Sequence, residues 1–202
     1  VQNYSKSETI TIDSYGWYKD GISDGVNRSG LPGYVDVKPG SNIKYIVGHF
    51  NADRFINMFP DATYITWVRD PLQRLLSQYN YYLRSGTYYG QMSKDKRSYD
   101  VIDAITYCTH KRNLNPMSQQ INIPLSNFKF VGITEKYDSE VERFKTLTGF
   151  NVINSGVPEN INPDKKSVRE QYTVTDELKE KVMTLHSKDY ELYNEALKLA
   201  GY

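Results

Sequence analysis

Arg69 and Ser77 stand eight residues apart, a guanidinium with a planar fork of donors and a hydroxyl that adds one more, the pair of groups that a tetrahedral anion asks for. Pro71 lies between them at a favoured first helical position. Arg69 therefore leaves a strand just before a helix begins, with its guanidinium beside the positive end of the helix dipole, a placing that suits a phosphate. From Ser77 the helical period sets Gln73 and Tyr81 one turn away and Arg84 two turns along, about 10 Å off at ~1.5 Å per residue on nearly one face. The flat ring and polar tip of a tyrosine such as Tyr81 suit packing against a sugar as well as half-buried core work. His49, after a short apolar run, has an ordinary pKa of ~6.5, so its neutral imidazole can accept a proton near pH 7. Each residue has a plainer reading. Arg69 can pair with Asp70 or Glu135, Ser77 can be a small surface residue, His49 a satisfied strand-end histidine, Arg84 a solvated charge and Tyr81 part of an aromatic core.

The elements that must position these groups follow from hydrophobic periodicity. Ile43 to Val47, ending at Gly48-His49, and Thr63 to Val68 are short β-branched apolar runs that fit buried strands. Ala52 to Phe59 between them has helical spacing, which makes a strand-helix-strand unit of the parallel kind. Leu72, Leu75, Leu76, Tyr79 and Leu83 form a buried helical face after Pro71. Ser98 is positioned to cap a helix through Val101, Ile102, Ile105 and Cys108, and Phe128 to Ile133 reads as a further strand. A helix carrying Val141, Phe144 and Leu147 stops at Gly149, and Thr175 and Ser187 each open one of the two closing helices. The predicted fold class is α/β, a parallel sheet flanked by helices. In such sheets ligands bind beyond the carboxyl ends of the strands, which gathers His49, Arg69 and Thr134 on one edge.

Composition removes several function classes. The 202 residues, 39% hydrophobic and 24% charged, are expected to form one domain spanning 1–202. A net charge of +1 offers no global field for nucleic acid or an anionic membrane, so an anionic ligand needs a local cluster. No apolar run approaches the roughly 20 residues of a membrane span, and the chain is expected to be soluble. Cys108 is the only cysteine, and His49, His110 and His186 are far apart, so no disulfide and no metal is expected.

The run Tyr64-Ile65-Thr66-Trp67-Val68-Arg69-Asp70-Pro71-Leu72-Gln73-Arg74-Leu75-Leu76-Ser77-Gln78-Tyr79 resembles the 3′-phosphate-binding segment of the sulfotransferases that use 3′-phosphoadenosine 5′-phosphosulfate. Its pattern is similar to the heparan sulfate 2-O- and uronyl-sulfotransferase branch. Val47-Gly48-His49-Phe50 upstream and Phe130-Val131-Gly132-Ile133-Thr134-Glu135 downstream extend the likeness over most of the chain. The resemblance implies a P-loop-NTPase-like core, 3′-phosphate binding by Arg69 and Ser77, and His49 as general base. It also implies that Arg84 holds a uronic carboxylate with Tyr81 nearby, and that Lys166, Ser167 and Arg169 belong to a basic loop closing over the cofactor. Charge runs of that kind are also common as solvated surface.

The family's loop for the 5′-phosphosulfate, Pro-Lys-Thr-x-Gly-Thr-Thr, has no counterpart in the sequence. Glu8 to Ile12 then corresponds to the family's second strand, with the first strand-loop-helix expected upstream of Val1. The expected reaction is sulfuryl transfer to a hydroxyl of a carbohydrate or other small acceptor. The alternatives are a non-catalytic nucleotide- or glycan-binding module and a nucleotide or phosphoryl kinase, the latter weakened by the lack of G-x-x-x-x-G-K-[ST]. A bacterial or viral cytoplasmic protein is the expected setting, or the Golgi lumen if the source is eukaryotic.

Overall fold

Pro71 fixes where the helix after the third strand begins, because its ring presets a helical φ and its missing N–H costs nothing at the first helical position. In the computed structural model, which describes residues 9–13, 45–57, 59–85, 103–150 and 171–202, strand β3 (Tyr64–Val68) leads through Arg69 and Asp70 into helix α1 (Pro71–Ser85). Numbered with these in chain order are β1 (Thr9–Asp13), β2 (Tyr45–His49), α2 (Ala104–Thr109), α3 (Pro116–Gln120), β4 (Phe128–Ile133), α4 (Tyr137–Thr148), α5 (Asp176–Leu185) and α6 (Ser187–Ala200). The chain divides into two compact units, one of Val1–Thr63 with Gln119–Asn127, the other of Tyr64–Ser118 with Phe128–Tyr202. The architecture is mixed α/β, with small parallel sheets and flanking helices.

In the second unit β3 and β4 pair in parallel, Trp67 opposite Gly132 and Val68 opposite Ile133. β4 is buried from Phe130 to Ile133, whereas β3 alternates, with Ile65 and Trp67 exposed and Val68 buried. The run 63–68 is therefore one-sided and not the fully buried strand that its apolar content suggests. Trp67 lies over Gly132, where any Cβ would collide with indole carbons, and its ring also meets Phe130 and Tyr137 at centroid distances of 5.3 and 5.2 Å. Leu72, Leu75 and Leu76 of α1 enter a core with Tyr107, Cys108, Leu178 and Val182. Truncating a fully buried leucine such as Leu75 in a core of this kind costs about 2–5 kcal/mol.

The helix ends follow their caps. Thr175 accepts from Leu178 N–H at the start of α5, and Gly149 closes α4 in the left-handed region at φ 71°. The cap of α2 is Asp103, whose carboxylate accepts from Thr106 N–H at 2.7 Å and is held below the usual carboxylate range mainly by that bond. Ser98, expected in that role, lies outside the described residues. Ser187 is the first residue of α6 and not its cap. Leu147, carried by α4 with the buried Val141 and Phe144, is itself exposed, as is Leu199 of α6.

In the first unit β1 and β2 pair in parallel, from Thr9 opposite Tyr45 to Asp13 opposite His49. The expected helix between β2 and β3 is shorter than its spacing suggests. Ala52–Arg54 forms one 3₁₀ turn, and a single bond from Phe59 N–H to Phe55 O follows. Pro60 disfavours helical geometry at the residue before it and ends the segment there. Among the described residues no helix is long and apolar enough to cross a membrane, and no group of three or more His, Cys, Asp or Glu side chains converges as a metal site would require.

Candidate functional site

The carboxyl ends of β3 and β4 set Arg69 and Asp70 beside Thr134 and Glu135. Thr134 Oγ1 donates to Val68 O at 2.8 Å, which ties the two strand ends together. Glu135 Oε1 accepts from Asp70 N–H at 3.1 Å, and its Oε2 accepts from Tyr193 Oη at 3.1 Å. Arg69 Nε lies 3.8 Å from Glu135 Oε1, longer than a hydrogen bond but within ion-pair reach. Among the described residues Arg69 has no other polar partner, so the two terminal nitrogens of its guanidinium are uncommitted. Pairing with Glu135, one of the plainer readings of Arg69, thus exists without consuming the fork that binds anions.

The amino end of α1 is occupied from within the protein. Pro71 has no N–H, the Leu72 amide lies close enough to the Tyr190 phenol to oppose the rise of its pKa, and Gln73 N–H donates to Asp70 Oδ1 at 2.9 Å. Arg74 N–H completes the turn on Asp70 O. The Gln73 and Arg74 amides are thus committed within the protein, and the Asp70 carboxylate sits where the dipole would draw an anion. The groups of this segment without a committed partner among the described residues are the terminal nitrogens of Arg69 and the hydroxyl of Ser77.

Ser77 is half-buried on α1, and its hydroxyl has no partner among the described residues. Gln73, one turn before it and expected on a ligand-facing polar side, is instead 7% exposed and bound to the backbone of Tyr172. Tyr81, one turn after Ser77, is exposed, its ring set edge-on to Tyr82 at 5.7 Å. Arg84 is exposed in the last turn of α1, where its charge opposes the negative end of the dipole, and has no partner among the described residues. Ser77, Tyr81 and Arg84 thus follow one another along a helix whose opposite side is committed to the core.

Two tyrosines of α6 close the inner side of this region. Burial pushes the Tyr190 phenol up to about 12, with the Asp70 charge adding to the rise and the Leu72 N–H opposing it. Burial likewise raises Tyr193, followed by the charge of Glu135 and the hydrogen bond to it. Both phenols keep their protons across the physiological range. Neither was singled out from the sequence, because they stand more than 50 residues from the carboxylates they serve. Asp70 as a helix cap was legible, since Asp70-Pro71-Leu72-Gln73 has the spacing of a capping box.

His49 is the last residue of β2, in the first unit, and is described by its backbone register alone. Lys166, Ser167 and Arg169 lie outside the described residues. No curated protein and no solved structure matches the chain. The model of the sulfotransferase family matches residues 47–194, a span from β2 through most of α6 that includes Arg69, Ser77, Glu135 and both tyrosines. With well over half of its residues matched, the chain belongs to the sulfotransferase family.

Proposed function

We propose that the protein moves a sulfuryl group from 3′-phosphoadenosine 5′-phosphosulfate to a hydroxyl of a carbohydrate or other small acceptor, in the manner of the uronyl 2-O-sulfotransferases. The observation that carries this reading is the uncommitted guanidinium edge of Arg69 followed, seven residues into α1, by the unpartnered hydroxyl of Ser77. A cation with a planar fork just before a helix and a neutral donor on that helix suit a phosphate monoester, and their donor set fits the 3′-phosphate. When bound, the cofactor supplies an activated sulfuryl group. The basic residues Lys166 and Arg169, with Ser167, would add charge and a donor around the nucleotide.

On the acceptor side, His49 would take the proton of the attacking hydroxyl, a task that needs a neutral imidazole near pH 7. Tyr81 and Arg84, exposed on the same helix as Ser77, would stack on a sugar ring and pair with its carboxylate. α1 would then run from the cofactor to the acceptor, with its inner face fixed by the core leucines.

Binding of adenosine 3′,5′-bisphosphate tests the reading directly. It should raise the melting temperature of the protein, and Arg69→Ala should abolish that rise. No rise in the wild type would refute the assignment. In a transfer assay, His49→Ala should lose turnover and keep nucleotide binding. A wild type that binds the bisphosphate and never transfers would identify a binding module instead.

A further inference from the structure

We infer that Glu135 is a positioning residue for Arg69, fixed in its turn by Tyr193, and that this clamp sets the preference of the site for nucleotides with a 3′-phosphate. The inference rests on the proposed nucleotide-binding role of Arg69. Three observations carry it. The Glu135 carboxylate is immobilised by donors from two different elements, Asp70 N–H on Oε1 and Tyr193 Oη on Oε2, both at 3.1 Å. Arg69 approaches that same Oε1 through Nε, at 3.8 Å. The terminal nitrogens of Arg69 have no partner among the described residues, while the whole residue is only partly exposed.

A long arginine side chain beside a strand end samples many rotamers and loses that freedom when it binds. A fixed negative charge on the Nε side narrows the choice before the ligand arrives. Because 3.8 Å is too long for a hydrogen bond, the attraction orients the guanidinium without spending one of its donors. Asp70, the other carboxylate nearby, is engaged with Gln73 N–H at the start of α1 and leaves this work to Glu135. Tyr193 matters because a carboxylate held by the Asp70 amide alone could swing about that single bond.

The opposite role, a counter-ion competing with the phosphate for Arg69, predicts an effect of opposite sign. The test is the ratio of affinities for adenosine 3′,5′-bisphosphate and adenosine 5′-monophosphate, measured by calorimetry on the wild type, Glu135→Gln and Tyr193→Phe. Glu135→Gln keeps the shape and an acceptor for Asp70 N–H. It should weaken the bisphosphate about tenfold and leave the monophosphate within about twofold, so that the ratio falls. Tyr193→Phe should lower the ratio in the same direction by about threefold, and it reports on the clamp even if the glutamine variant folds poorly. Tighter bisphosphate binding by Glu135→Gln, or an unchanged ratio in both variants, would overturn the inference while leaving the functional reading intact. A wild type that does not distinguish the two nucleotides would overturn both.

Discussion

The carboxamide of Gln73 grips both polar atoms of one backbone residue, with Nε2 donating to Tyr172 O at 3.2 Å and Oε1 accepting from Tyr172 N–H at 2.7 Å. An amide side chain that matches a peptide group in this way behaves like an added rung of sheet and pins residues 171–174 to α1. Gln73→Leu roughly keeps the volume and removes both of these bonds to Tyr172. The expected cost is about 1–3 kcal/mol, read as a lower urea midpoint at unchanged slope. The Tyr172 amide should also exchange faster with solvent. An unaltered midpoint and exchange rate would show that the grip is incidental.

Ser77→Ala should separate binding from folding. Its hydroxyl has no partner among the described residues, so stability should change by no more than about 0.5 kcal/mol. Affinity for adenosine 3′,5′-bisphosphate should fall about fivefold, the worth of one hydrogen bond. Unchanged affinity would remove Ser77 from the site.

Alkaline pH should destabilise the fold through buried acids that must stay protonated. Burial raises Cys108 from its ordinary value near 9 to about 12, and Tyr190 from near 10 to about 12. Between those values the folded state holds protons that the unfolded chain has released, so stability falls as pH rises through the window. Cys108→Ala removes one such group. Its loss of stability between pH 9 and 11 should be smaller than that of wild type by on the order of 1 kcal/mol. The native thiol should also resist a disulfide reagent at pH 8 until denaturant is added.

His186 and Asp189 join three segments of the second unit. Asn115 N–H donates to His186 Nδ1 at 3.2 Å, which leaves Nε2–H to donate to Cys108 O at 2.8 Å. Asp189 accepts from Met117 N–H and Ser118 N–H at 3.2 and 2.8 Å. Asp189→Ala should therefore cost about 2–5 kcal/mol, because it strands two amides around a buried site. A shift below about 0.5 kcal/mol by chemical denaturation would contradict this.

Local signals explain most of what the sequence made legible. Pro71 with its leucine spacing marked α1, Thr175 marked α5, Gly149 ended α4, and the β-branched runs located β2, β3 and β4. The departures arise where a distant partner decides. The polar side chain of Gln73 is drawn inward by a backbone residue 99 positions away, which no helical period reveals. The proximity of the Tyr190 phenol to the α1 terminus depends on a helix more than 100 residues on and carries no sequence mark. Glu135 was legible as a partner of Arg69, but its second tether, Tyr193, lies 58 residues away and carries no sequence mark.

The parallel pairing of Tyr64 with Phe128 has a consequence for biogenesis. The whole of segment 69–127 must be synthesised between the two strands before they can meet, and closing so large a loop delays their pairing on the chain's folding path. Gln73 waits longer for Tyr172, and Glu135 waits for Tyr193, 58 residues further on. On the ribosome the arginine of the candidate site is therefore made early and aligned late. A nascent chain stalled before Tyr193 would carry all of α1 without the clamp that aims Arg69.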